Sequence, residues 1–185
     1  MPEQRITVVV GNPRSPSRTQ AIAERVVSEL VTSPDVRVTT IDLAELADEL
    51  FAPSSTAVSA ALSTVAASHL AVFASPTYKG SYTGLLKAFL DRYGSNALAG
   101  VIAVPLHTGA SLGHAMGTDV HLGTLLTELG AIVPGRGVYV ATDDMGRLDA
   151  TAAAEASRLR QNLERVRAFL PAIAPVPAVM PDPAH

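Results

Sequence analysis

The chain has no cysteine and no tryptophan, and phenylalanine and tyrosine together make up only 4% of its 185 residues. Without cysteine there can be no thiol catalysis, no disulfide and no thiolate-bound zinc or iron–sulfur centre. Long apolar runs are missing too: none approaches the ~20 residues that a membrane-spanning helix needs, so no membrane role is expected. Charge is sparse, with 17% charged residues, a formal net charge of −3 and acids interspersed with bases. Such a chain offers neither a basic stripe for nucleic acid nor an acidic tail for a basic partner. The opening residues run into a strand pattern, Arg5 to Val10, rather than a signal peptide, and a cytoplasmic location is expected. His107, His114 and His121 do not form a credible metal-ligand triad, so no metal is expected.

What the chain does have is apolar bulk, 48% of residues, in a length that suits one domain with a real core. Four apolar runs predict buried parallel strands: Ile6–Val10, Leu70–Ala74, Val101–Leu106, and Ile132–Val133 continuing to Val138–Val140. The more polar Val36–Ile41 predicts an edge strand. Helical faces alternate with them: Ile22, Val26, Val27 and Leu30; then Leu122, Leu125, Leu126 and Leu129; then Leu159, Leu163, Val166 and Leu170. The alternation predicts an α/β fold, a flavodoxin-like doubly wound five-stranded parallel sheet in the order 2-1-3-4-5 with helices on both faces. Asp42–Leu50 predicts a short helix, with Asp42 as its cap. Residues 1–170 form the expected domain, and 171–185, with five prolines, a separate tail.

Three loops follow strands one, three and four, where open α/β sheets bind their ligands. The first is Gly11-Asn12-Pro13-Arg14-Ser15-Pro16-Ser17-Arg18-Thr19. Ser17 and Gln20 predict a capping box, and a helix start ringed by Arg14, Arg18 and three hydroxyls suits a phosphate monoester. The same residues also describe a capped helix with two solvated arginines. The second loop, Ser75 to Gly84, carries Pro76, Thr77, Tyr78, Lys79, Gly80 and Ser81, a stiff turn that exposes an aromatic ring. Alternatively it is a plain turn with Ser81 or Thr83 capping the next helix. The third, His107 to His114, could border a planar ligand with Thr108, Gly109, Ala110 and Ser111, or could be a glycine-rich connection with Ser111 as a cap. His107 is expected as a polar rim residue. Within it Gly109-Ala110-Ser111-Leu112-Gly113 matches the nucleophile elbow of serine hydrolases, but the only histidine after the following acids is His185, in the tail. A phosphorylated flat heterocycle accounts for all three loops together.

Gly11-Asn12-Pro13-Arg14-x-x-Ser17-Arg18, Pro76-x-Tyr78-Lys79-x-Ser81-x-Thr83-Gly84-x-x-Lys87 and Pro105-Leu106-x-Thr108-Gly109 resemble, in colinear order, three segments of the NADPH-dependent FMN reductase family. The likeness is greatest to members that supply reduced flavin to sulfonate monooxygenases. It implies FMN and NAD(P)H as cofactors and hydride transfer between them. It also implies Asn12, Arg14, Ser15, Ser17, Arg18 and Thr19 at the FMN phosphate, Pro76–Ser81 along the ring and ribityl chain, and Thr108–Ser111 at the far edge. A flavin-dependent monooxygenase is the implied partner and a homodimer or homotetramer the implied assembly; no residue is expected to act as a catalytic acid or base. A quinone or azo reductase with bound FMN, or an electron-carrier flavoprotein, shares the site. Asn12 departs from the serine usual there. His121 falls where relatives carry an inserted residue, which a π-bulge or an ordinary exposed helix position would accommodate.

Overall fold

The computed structural model describes residues 4–143 and 145–169. The expected tail, 171–185, and Leu170 lie outside them. Apolar parallel strands collect into one sheet: β1 (Gln4–Val10), β2 (Val36–Asp42), β3 (Leu70–Pro76), β4 (Ile102–Gly109) and β5 (Val138–Ala141), ordered β2-β1-β3-β4-β5. Every pairing is parallel. Because side chains alternate across a strand, the sheet has two cores. Val8, Val10, Val72, Val104 and Leu106 pack beneath α1 (Arg18–Leu30) and α5 (Leu148–Phe169). Val9, Phe73 and Ala103 pack beneath α2 (Thr56–Ala66), α3 (Gly84–Leu90) and α4 (Thr124–Glu128). This is the expected flavodoxin-like arrangement.

One local expectation changes and two are made specific. The fourth apolar run is broken: Ile132 makes one isolated bridge to Ile102, and β5 begins only at Val138. Pro134, which has no N–H, and Gly135 at φ 106° turn the chain between them. Asp42–Leu50 does form a helical segment, Leu43–Glu49, but wound as a 3₁₀-helix, with Asp42 capping it through Ala44 N at 3.0 Å. Around His121 the helix is irregular, as one reading allowed. Thr118–Gly123 is a π-helix, and the Thr124 amide reaches back five residues to the Asp119 carbonyl.

His107 is the largest correction. Its backbone pairs with Ser75 in β3, and its side chain is wholly buried on the α3–α4 face rather than standing at a rim. The Tyr82 ring lies 6.4 Å away, and neither imidazole nitrogen has a hydrogen-bond partner among the described residues. Burial pushes the imidazole pKa down from 6.5 to about 4; His121 lowers it further, and Asp119 opposes. The ring is therefore neutral at pH 7. A depressed pKa means the unfolded chain takes up the proton first as acid is added, so stability falls from about pH 6.5 to pH 4 and levels off below. The loss over that window is about 3 kcal/mol. Urea unfolding across the range should show this slope in the natural chain and a flatter one in His107→Leu; identical slopes would remove His107 as the cause.

Candidate functional site

All three loops stand at the carboxyl end of the sheet, and a network of short contacts ties them together. Thr83, the N-cap of α3, accepts from the Leu86 amide at 3.1 Å and donates to the Gly11 carbonyl at 2.5 Å. Its own amide donates to Ser75 Oγ at 3.0 Å, while the Gly11 amide donates to the Ala74 carbonyl at 2.7 Å. Gly11 is required by close approach: a Cβ there would sit 2.6 Å from Leu86 Cβ. Thr83, not Ser81, is thus the cap that the second loop supplies.

The first loop is shaped by Asn12. Its Oδ1 accepts from the Arg14 amide at 3.0 Å and its Nδ2 donates to Thr19 Oγ1 at 3.2 Å. Thr19 Oγ1 lies 2.9 Å from Thr108 Oγ1 on β4. Both threonines are buried, so these hydroxyls join α1 to β4. Ser17 caps α1 by accepting from the Gln20 amide at 3.1 Å, but Gln20 turns its side chain to Glu24. Only half of the predicted capping box forms. With the Gln20 amide bound to Ser17 Oγ and the Ala21 amide to the Ser17 carbonyl, the amides of Arg18 and Thr19 have no acceptor within the helix.

In the second loop the turn lies at Lys79-Gly80, not at Pro76. Tyr78 and Ser81 exchange both backbone hydrogen bonds, at 2.8 and 3.1 Å, and the residues between them have φ of 53° and 82°. Two positive φ values make a two-residue hairpin turn of the I′ kind, in which lysine is an unusual first residue. Tyr78 at its base is 47% exposed. The π-helix packs on this hairpin: a Cβ at Gly117 would stand 2.7 Å from the Gly80 carbonyl oxygen.

The result is a crevice of about 360 Å³ lined by Asn12, Arg14, Ser17, Arg18, Thr19, Pro76, Thr77, Tyr78, Thr108 and Gly109, together with Pro16 and Thr142. Ten of the predicted residues meet there. Ser15, Lys79, Gly80, Ser81, Ala110 and Ser111 do not line it: Ser15, Ala110 and Ser111 are exposed, and Lys79–Ser81 form the hairpin beyond it. Thr142 was missed by sequence reasoning, although it follows a strand end just as the other loops do; its amide donates to the Gly109 carbonyl at 2.7 Å. The lining has two guanidinium groups and no acid. Thr77 Oγ1 is buried there without a hydrogen-bond partner among the described residues, a polar atom left for a ligand. A larger depression, about 630 Å³, lies over Asp119, Gly123 and Arg136, but none of the three loops reaches it.

The serine-hydrolase reading falls on geometry. A nucleophile elbow needs a sharp strained turn from strand into helix. Ser111 is extended (φ −150°, ψ 165°), makes no side-chain cap and leads only into a single 3₁₀ turn, Leu112–His114. Its carbonyl instead accepts from Tyr139 Oη at 2.7 Å. His185 lies outside the described residues.

Comparison with known proteins agrees with this geometry. The family model described as NADPH-dependent FMN reductase matches residues 4–145. An NADH-dependent FMN reductase, SfnE, from Pseudomonas putida is 31% identical, over 86% of this chain and 89% of its own length. An FMN reductase (NADPH) from Escherichia coli is 32% identical, over 78% and 76%. Among solved structures, an oxidoreductase from Corynebacterium diphtheriae superposes with a TM-score of 0.76 at 28% identity, covering 88% of this chain and 98% of that one. The apo form of an NADH:FMN oxidoreductase, EmoB, gives 0.74 at 28%, covering 94% and 92%. The chain belongs to the NADPH-dependent FMN reductase family.

Proposed function

We propose that the crevice binds FMN and that the chain is an NAD(P)H:FMN oxidoreductase. The observation that carries this reading is a lining with two arginines and no acid, set against the open amides of a helix start. That donor set fits a phosphate dianion. Arg14 and Arg18 would neutralise it from the solvent side, and the amides of Arg18 and Thr19 and the Ser17 hydroxyl would hydrogen-bond it. Asn12, Thr19 and Thr108 act one step back, holding the loop and strand in place. Pro76, Thr77 and Tyr78 would flank the ring, with Thr77 Oγ1 free to meet a polar edge atom. Lys79, Gly80 and Ser81, with Ala110 and Ser111, would form the outer rim, and Ser15 would stand at the phosphate end.

FMN supplies the hydride-accepting ring, so the chain's task is alignment and exclusion of water rather than proton transfer. The buried, neutral His107 faces the opposite side of β4 from Thr108 and takes no part. Residues 1–170 carry the whole reading as one reductase domain, since every site residue precedes position 143. Release of reduced flavin to a partner monooxygenase, assembly into a homodimer or homotetramer and a cytoplasmic setting belong to the same proposal. Leu112, Met116 and Val120, spaced four apart and exposed beside the hairpin, would offer an apolar surface for assembly.

Full-length protein mixed with NADPH or NADH should oxidise the nucleotide in proportion to added FMN; loss of nicotinamide absorbance reports it, and no oxidation of either nucleotide overturns the reading. Arg14→Ala should weaken FMN binding about 10- to 100-fold, the range of a charge-assisted hydrogen bond, and leave riboflavin binding nearly unchanged. Flavin fluorescence titration checks this, and equal losses for both flavins would take Arg14 out of the phosphate site.

A further inference from the structure

At the other end of the sheet, roughly 20 Å along β1 from the crevice, strand register sets two like charges side by side. Arg5 on β1 pairs with Arg37 on β2, and Thr7 with Thr39 two residues on. All four are on the α2 side of the sheet, the face that Val9 shares. With Ser63 and Ser68 they line a cleft of about 440 Å³ that contains no carboxylate. Like charges directly opposite on adjacent strands repel, so the pair costs stability unless something negative lies between them.

The cleft is also preorganised. Arg5 Nε and Nη2 both donate to the Ala67 carbonyl at the end of α2, at 2.9 and 2.8 Å, which fixes the guanidinium plane. Its Nη1 has no acceptor among the described residues. The floor is set by Thr7 Oγ1, 2.6 Å from Ser68 Oγ, which itself donates to the Thr64 carbonyl at 2.9 Å. Arg37 is exposed and has neither an ion pair nor a hydrogen bond among the described residues. The Thr39 and Ser63 hydroxyls likewise have no partner there. Arginine on an edge strand does discourage strand addition. That role, however, needs only a charge; it calls for neither a second arginine in register nor a fork fixed beside free hydroxyls.

We propose that this cleft is a second anion site, built for a phosphate dianion: free phosphate, or the phosphate end of a small phosphorylated metabolite. A planar guanidinium with a free edge, a second one opposite it and two hydroxyl donors match the oxygens of such a group. The site is separate from the crevice and does not depend on how FMN is held.

Residue-resolved amide NMR of the full chain, titrated with inorganic phosphate and separately with glycerol 3-phosphate, tests this. Saturable shifts are expected at Thr39, Ser63 and Thr64, while Arg18 and Thr19 report the crevice independently in the same spectra. Arg37→Gln should weaken the response at least about tenfold and leave FMN binding intact, which also shows that the variant is folded. Tighter binding of glycerol 3-phosphate would assign an organic monoester as the ligand, and equal affinity would assign free phosphate. Shifts that stay linear, that potassium chloride reproduces at equal ionic strength, or that survive Arg37→Gln would overturn the site.

Discussion

The Thr83 hydroxyl governs the geometry of the whole binding end. It caps α3 and donates to the carbonyl of Gly11, while the backbone amide of the same residue donates to Ser75 Oγ. One buried side chain therefore sets the distance between the loop after β1 and the loop after β3. Strands β1 and β3 are neighbours in the sheet, where the chain winds outward in both directions from β1. Such a switch point opens a gap between loops that leave in opposite directions. A hydrogen bond of 2.5 Å from Thr83 to Gly11 across that gap keeps the two walls in register, and the missing side chain of Gly11 leaves room for Leu86, so that α3 can come close enough for the bond to form.

A second tie runs from α1 to β4 through Thr19 and Thr108, and a third from β4 to β5 through Gly109 and Thr142. The crevice is thus a chain of loops each hydrogen-bonded to the next, with polar atoms serving as structure rather than as ligand donors. This divides the residues around it into two groups. Asn12, Thr19, Thr83 and Thr108 hold other protein atoms. Arg14, Arg18, Thr77 and Tyr78 present groups without such obligations in the lining.

The sheet was legible in the sequence because parallel strands buried on both faces are continuous apolar runs, as in Leu70–Ala74 and Ile6–Val10. Asp42 and Ser17 were legible as caps, because a short polar side chain before a helical pattern has few other uses. The contact between Thr19 and Thr108 was not, because it joins residues 89 apart and depends on strand order and register together. His107 was misjudged from its residue type, although strand parity sets it on the same face as the buried Ala103. The break before β5 was signalled by Pro134 and Gly135 but outweighed by the valines on either side. The Lys79-Gly80 turn was hidden because lysine seldom takes positive φ.

That turn limits how the protein can change. A two-residue turn has no slack, and adding or deleting one residue would break the paired hydrogen bonds between Tyr78 and Ser81 and displace the chain that follows. Substitution in this loop can proceed one side chain at a time, whereas a change of length would undo the bridge that gives the loop its shape. The mouth of this crevice can therefore change the chemistry of its side chains far more readily than its outline.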